Sequence, residues 1–176
     1  MKTNLVEIQV PNKRIIVRYN GKPCVVSNRH PTVAIIVQFD PISGMVEVIE
    51  TREWRFERFL DVVEEIAQLA YTYSVHLILC DRSHIGNNQE LIAKGLPVIE
   101  VAFTNEKAIM RSNLRALIEQ HKIKIWVGFE KLIEQLRIYT RDTKRNDDYV
   151  DALMLACRDI GRRVQEISNP KLYISF

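Results

Sequence analysis

The sequence predicts an α/β fold in which helices flank a mixed sheet. Residues 12–54 contain three segments rich in β-branched residues, separated by turn signals. From residue 59 onward, helical spacing alternates with short apolar runs. Strands joined by short turns pair antiparallel, whereas strands separated by helices usually pair parallel. We therefore expect an antiparallel meander followed by parallel strands in one sheet.

Composition limits the class of protein. The 176 residues suffice for one domain with a real core, and we expect a single domain over residues 1–176. No apolar run approaches the ~20 residues that span a bilayer, and the start lacks the regions of a signal peptide, which indicates a cytoplasmic protein. The three cysteines are far apart in apolar company and are typical of reduced thiols. A net charge of +3 permits a nucleic-acid partner without requiring one.

The first three predicted strands form the meander. They are "NKRIIVRYNG" (12–21), which ends in an Asn-Gly turn signal, "TVAIIVQFD" (32–40) and "MVEVIETREW" (45–54). "DPISG" joins the last two, because Pro41 presets φ and Gly44 tolerates positive φ. This turn chemistry is a sufficient explanation for Asp40.

Helices and strands alternate in the rest of the chain. Apolar residues from Phe59 to Tyr73 follow helical spacing over about four turns. "VHLILC" is a buried strand that ends at Asp81, and "NQELIAKG" (88–95) is a short helix, which Gly95 is typical of closing. The remaining predictions are a strand at 97–103, a helix at about 105–121, a short strand at "KIWV", a helix at "FEKLIEQLRIYT", a basic loop at "RDTKRN" and a last helix at about 147–164.

Three carboxylates stand at the start of that last helix. "RNDDYVDALMLA" (145–156) places Asp147, Asp148 and Asp151 within five positions. Asn146 is a good N-cap, and acidic residues in the first turn gain ~0.3–1 kcal/mol each from the helix dipole. Asp151 is flanked by apolar residues, where a carboxylate is costly unless it is paired or bound to a cation. A divalent metal is one solution; a salt bridge is the other, for which Arg141, Lys144 and Arg145 are candidates.

These motifs carry a resemblance. Asp81 with "DRSHIG", then "VAFTNEK" (101–107), then "NDDYVDALMLA" resemble, in this order, the nuclease domain of viral and phage large terminases. That domain is similar to ribonuclease H and to Holliday-junction resolvases. The resemblance covers roughly residues 12–165. It implies a ribonuclease H-like, five-stranded mixed sheet with antiparallel strands 1–3 and parallel strands after them, flanked by helices.

The same resemblance implies an activity. Members cleave double-stranded DNA in a metal-dependent reaction during genome packaging, in the host cell cytoplasm, with an ATPase motor upstream. Two Mg²⁺ or Mn²⁺ ions would act in phosphodiester hydrolysis. This chain contains no G-x-x-x-x-G-K-[ST] sequence, so the ATPase would lie elsewhere in the packaging machinery.

Site residues are carried over by position. Asp81 matches the acidic residue that ends the fourth strand, and Asp147 and Asp148 match the acidic pair that opens the last helix. Asp151 matches a further family Asp and the resolvase pattern of two Asp three apart. The resemblance implies Asp81, Asp148 and Asp151 as metal ligands and Asp147 as an additional ligand or orienting group.

The first strand should supply one more Asp. If strand one is residues 12–21, this position is Asn20, and Asp40 lies in the following hairpin turn; if strand one is residues 32–40, it is Asp40. Strand counting favours Asn20. An amide can ligate a metal but brings no negative charge, so metal affinity and cleavage should be weakened.

Basic residues near these motifs are candidates for phosphate contacts. They are Lys107, which matches a family lysine, together with Arg82, Arg111, Lys144 and Arg145. The alternative for them is a solvated surface. His84, in the loop after Asp81, is a weaker candidate for substrate contact. Two other functions stay open for the whole chain: a junction-resolving nuclease, which would need a dimer, and a non-catalytic nucleic-acid-binding module with the same fold.

Overall fold

A computed structural model of the protein describes residues 13–20, 31–55, 58–139 and 147–160. Within these ranges the chain forms strands and helices in the predicted order. The strands are β1 (Lys13–Asn20), β2 (Thr32–Asp40), β3 (Met45–Trp54), β4 (Leu77–Asp81), β5 (Val98–Val101) and β6 (Ile123–Lys124). The helices are α1 (Phe59–Thr72), α2 (Ile85–Ala93), α3 (Phe103–Glu119), α4 (Glu130–Ile138) and α5 (Asp148–Ala156).

The strands form one mixed sheet in the order β5-β4-β1-β2-β3-β6. β1, β2 and β3 pair antiparallel, while β4 pairs parallel to both β1 and β5. The antiparallel meander and the parallel strands that follow it therefore agree with the prediction. The five-stranded sheet that the resemblance implies is wrong by one strand, because two-residue β6 pairs parallel with β3 at the edge. The short strand predicted at residues 124–127 overlaps β6 only at Lys124, since two residues are too few to show a period.

Helices cover both faces of the sheet. Alternate residues of β2, such as Val33 and Ile35, join the core formed with α3, α4 and α5. Their neighbours Ala34 and Ile36 join the core formed with α1 and α2. A strand that is buried on both faces reads as a continuous apolar run, which explains the composition of residues 32–40.

Helix α5 lies in the interior. All nine of its residues are buried, and it packs across β1 and β2 on one side and against α3 and α4 on the other. A helix with neighbours all round is expected to be apolar all round, as "ALMLA" is. The carboxylates of Asp148 and Asp151, near its N-terminus, are consequently buried as well.

Several helix ends differ from the predictions by a few residues; α3, for example, begins at Phe103, which was assigned to the preceding strand. The N-cap residue of α5 is Asp147, whose side chain makes no capping hydrogen bond; Asn146 and residues 161–164 lie outside the described residues. A 3₁₀ helix, Arg82–His84, precedes α2, which starts earlier than predicted. In the described part of the chain, no helix combines the length and the apolarity that crossing a membrane requires.

Candidate active site

Asp81 lies where several strands end. The parallel ladder of β1 and β4 stops at the pair Arg18–Cys80, so Asn20 and Asp81 both follow it within two residues. β5 ends beside β4, and β3 ends where β2 begins. We call this end of the sheet the Asp81 end. Ligand sites in open α/β sheets tend to lie at the carboxyl ends of parallel strands.

Local hydrogen bonds fix the Asp81 carboxylate. It accepts one from the Ser83 backbone N–H at 3.0 Å and one from the Ser83 hydroxyl at 2.8 Å, which caps the 3₁₀ helix. The Asp81 carbonyl oxygen accepts a hydrogen bond from buried Asn88 at 3.0 Å. Asn88 also donates to Glu100 on β5 at 2.9 Å. The turn after β4 is thus held to its neighbours by polar contacts.

Helix α5 begins at the Asp81 end. The Tyr149 hydroxyl donates to the Glu53 carboxylate on β3 at 2.8 Å. Glu53 pairs with Val33, one residue from the start of β2, and Thr32 at that start pairs with Asn20. Asp148, only 3% exposed, directly precedes Tyr149. The strand register therefore brings the first turn of α5 to the same end of the sheet as Asp81.

Lys107 joins two of the predicted site carboxylates. Its ammonium group lies 2.7 Å from the Asp151 carboxylate and 3.2 Å from that of Asp147. The lysine belongs to α3, which starts directly after β5 and hence at the Asp81 end. The sequence left open whether Asp151 is paired or binds a cation; in the structure its partner is Lys107, and the candidates Arg141, Lys144 and Arg145 lie outside the described residues.

Negative charge still exceeds what this lysine supplies. Burial, together with the nearby charges of Asp147 and Asp148, raises the pKa of Asp151 to about 7, despite the opposing effect of Lys107. Burial would lower the pKa of Lys107, but Asp151 and Asp147 together raise it. The Oδ1 atom of Asp151 is buried and accepts no hydrogen bond within the described part of the structure.

These features can be compared with the needs of a metal ion. Among the described residues, no group of three His, Cys, Asp or Glu side chains is arranged to hold one. Mg²⁺, however, typically takes one or two carboxylates and keeps waters and substrate phosphate as its other ligands. Asp81 and Asp148 supply two carboxylates at one end of the sheet, and the Asp151 Oδ1 atom lacks a hydrogen-bond donor there. In chemical type, these donors fit such an ion.

Asp40 lies far from this site. Its carboxylate accepts hydrogen bonds from the Ile42 backbone N–H at 2.9 Å and the Ser43 hydroxyl at 2.5 Å, inside the β2–β3 turn. That turn lies at the other end of β2, roughly 25 Å from the Asp81 end at ~3.3 Å per residue. Asp40 cannot share an ion with Asp81, whereas Asn20 ends β1 at the Asp81 end of the sheet.

The structure describes only some of the basic residues that were predicted to contact phosphates. Arg82 is exposed beside Asp81. Arg111 lies one turn after Lys107 on α3, and its Nε is buried without a hydrogen-bond partner in the described ranges. Lys144, Arg145 and the side chain of His84 lie outside the described residues. Lys107 faces carboxylates here, and its contact with phosphate stays a prediction.

Sequence reasoning missed three polar residues that support the site. Asn88 binds the Asp81 turn, Glu53 binds Tyr149, and the Gln135 side chain on α4 accepts the Tyr149 backbone N–H at 2.9 Å. These contacts span 7, 14 and 96 positions, and each depends on how two elements pack, so no local spacing reveals it. The partial alternation of "MVEVIETREW" was the one available sign of an irregular strand.

Comparison with known proteins identifies a family and a shared fold. The family model described as "Terminase RNaseH-like domain" matches residues 23–158. The fold is similar to the large terminase nuclease of thermophilic phage G20c with bound zinc (TM-score 0.64, 19% identity, 83% of this chain and 80% of that chain). It is also similar to the P22 large terminase nuclease domain (TM-score 0.64, 17% identity, 87% and 89%).

Other matches extend beyond the nuclease. The large terminase of a second thermophilic bacteriophage, in complex with ADP, matches with a TM-score of 0.71 and 14% identity; 86% of this chain is covered but only 40% of that chain. The G20c nuclease also has structures with bound cobalt and with bound magnesium. No curated protein matches the sequence. Because the family model covers most of the chain, the protein belongs to the terminase RNaseH-like domain family.

Proposed function

We propose that the chain is the metal-dependent endonuclease domain of a viral genome-packaging terminase and hydrolyses phosphodiester bonds of double-stranded DNA. The observation that carries this proposal is the location of Asp81 and the first turn of α5 at the same end of the sheet. Family membership and the terminase nuclease structures with bound zinc, cobalt or magnesium support it.

Each site residue has a role in this proposal. Asp81 and Asp148 hold Mg²⁺ or Mn²⁺, with Asp147 and Asp151 as further ligands or orienting groups. Two such ions, ~3.5–4 Å apart, would stabilise charge on the attacking and leaving oxygens. Lys107 offsets part of the carboxylate charge, and Arg82 and Arg111, with Lys144 and Arg145, bind DNA phosphates.

Asn20 should make this nuclease weak. An amide at the end of β1 removes a unit of negative charge from a position where the family resemblance calls for Asp. Replacing Asn20 by Asp should therefore strengthen Mn²⁺ binding and increase cleavage. The upstream ATPase motor is the proposed partner, which is consistent with the 40% share of the ADP-bound terminase chain that this domain covers.

A plasmid-nicking assay with Mn²⁺ tests the proposal. We expect slow nicking by the parent, faster nicking by Asn20→Asp and none by Asp81→Asn or Asp148→Asn. Asp40→Ala is the control, since it removes a carboxylate at the far end of the sheet, and it should nick at the parent rate. Nicking by both Asp81→Asn and Asp148→Asn at the parent rate would disprove the assigned site.

The same assay separates the alternatives. Cleavage of four-way junctions in preference to linear duplex, by a dimeric protein, would favour a resolvase. DNA binding without cleavage, in both the parent and Asn20→Asp, would favour a non-catalytic binding module.

A further inference from the structure

Strand β3 contains a bulge that changes the direction of its side chains. Val48 pairs with Val37 and Glu50 pairs with Ile36, so Ile49 is an extra residue between them. An extra residue shifts the two-residue alternation of a strand and sends every later side chain to the opposite face. Glu53 consequently points to the face that carries α5, where regular alternation from Val48 would have turned it away.

Because of the bulge, the Glu53 side chain is almost fully buried. Its side chain is 9% exposed and accepts hydrogen bonds from the Tyr149 hydroxyl at 2.8 Å, from Lys131 at 2.7 Å and from Arg55. Burial alone would raise the pKa of Glu53, but the hydrogen bonds from Lys131, Tyr149 and Arg55 lower it below its ordinary value. Glu53 therefore stays ionised and gives the Tyr149 hydroxyl a charged acceptor, which makes a stronger hydrogen bond than a neutral one.

Tyr149 is held at its backbone as well. Its N–H donates to the Gln135 side chain at 2.9 Å, and its ring is 5% exposed in the core. Asp148 is the residue before Tyr149. Contacts from β3 to the Tyr149 hydroxyl and from α4 to its backbone N–H therefore restrict the backbone at Asp148, whose carboxylate the proposed mechanism needs.

We propose that Glu53 is a positioning residue: through the Tyr149 hydroxyl it holds Asp148 where that carboxylate can bind a divalent cation at the Asp81 end of the sheet. This inference rests on the proposed function. Residues that hold metal ligands in position typically change metal affinity by about 10–100-fold. We therefore expect Glu53 to affect metal affinity, although it lies on β3 and is distant from Asp148 in sequence.

The test compares two tyrosines that donate to glutamates of the same strand. Tyr149→Phe removes the hydroxyl that reaches Glu53. Tyr73→Phe is the matched control, because the Tyr73 hydroxyl donates to Glu50 at 3.1 Å on the opposite face of the sheet. Mn²⁺ affinity is measured by titration calorimetry on the full chain, and Tm is measured without metal.

We expect Tyr149→Phe to bind Mn²⁺ about tenfold more weakly than the parent. Tyr73→Phe should show a comparable loss of Tm with parent-like Mn²⁺ affinity. Glu53→Gln keeps an acceptor for the hydroxyl but loses its charge, so its affinity should fall between those of the parent and Tyr149→Phe.

Three results would overturn the inference. Parent-like Mn²⁺ affinity in Tyr149→Phe, or an equal loss of affinity in Tyr73→Phe, would show that Glu53 acts only on stability, and the proposed nuclease would stand. Absence of Mn²⁺ binding by both the parent and Asn20→Asp would overturn the inference and the metal-dependent function together.

Discussion

Lys107 is partly exposed to water and forms an ion pair with a carboxylate that is almost fully buried. Asp151 is 1% exposed on its side chain, and Lys107 is 29% exposed. Removing one partner of a buried ion pair leaves an uncompensated charge, which costs about 3–5 kcal/mol when burial is complete. Since the ammonium group is partly hydrated, we expect Lys107→Met to lower the free energy of unfolding by about 2 kcal/mol.

Urea unfolding with a chelator present measures this cost. Arg115→Met is the control, because the exposed pair of Arg115 with Glu119 should contribute little. The double variant Lys107→Met, Asp151→Leu should regain most of the lost stability, since apolar residues can replace a buried pair. A double variant no more stable than Lys107→Met would contradict this account of the pair.

Asp40 gives a prediction with a defined pH dependence. Hydrogen bonds from Ser43 and Ile42 lower its pKa below the ordinary value of 3.8. A carboxyl group with a depressed folded pKa contributes stability above its unfolded pKa and loses it as pH falls through the folded pKa. Asp40→Ala should cost at most about 1 kcal/mol at pH 7, since the turn is exposed. The difference from the parent should shrink below pH ~4, and a constant difference from pH 7 to 2 would refute this.

At the scale of elements, a side chain of helix α4 caps the N-terminus of α5. Asp147 makes no capping hydrogen bond to the described residues, and the Gln135 side chain on α4 accepts the Tyr149 N–H instead. Loss of an N-terminal cap typically costs about 1 kcal/mol. Gln135→Ala should show this loss in urea unfolding, whereas Gln68→Ala, at an exposed position of α1, should change stability by less than about 0.5 kcal/mol. Equal losses would argue against the cap.

The elements themselves were largely predictable, and the contacts between them were not. Apolar spacing and turn residues act locally, which is why the bounds of β2 and β3 agree with the predicted residues. The Lys107–Asp151 pair spans 44 positions and the Glu53–Tyr149 contact spans 96. Such pairs depend on register and helix packing, and one extra residue, Ile49, decides which face receives Glu53. The family resemblance implied Asp81 and Asp148 as site residues, but the groups that support them could be found only from the fold.

On the scale of the whole molecule, the two ends of the sheet should differ in DNA binding. The Asp81 end carries Arg82, and the basic segment 141–145 stands just before Asp147 in the sequence. Lys122, by contrast, donates to the Ser43 carbonyl oxygen at the β2–β3 turn, and Lys94 follows α2 at the same far end. Binding that depends on phosphate contacts releases counterions, so affinity should fall steeply with salt and vary little with sequence.

Two double variants with equal changes in net charge test this asymmetry. Each phosphate contact contributes about 0.9 to the slope of log K against log salt on duplex DNA. Lys144→Ala, Arg145→Ala should therefore reduce the magnitude of that slope by about 2 and weaken binding alike on unrelated sequences. Lys94→Ala, Lys122→Ala should leave the slope near that of the parent, because those lysines lie at the far end of the sheet. Fluorescence anisotropy at several salt concentrations supplies the slopes. If both double variants lose the same slope, binding follows net charge alone and the Asp81 end has no special part in it.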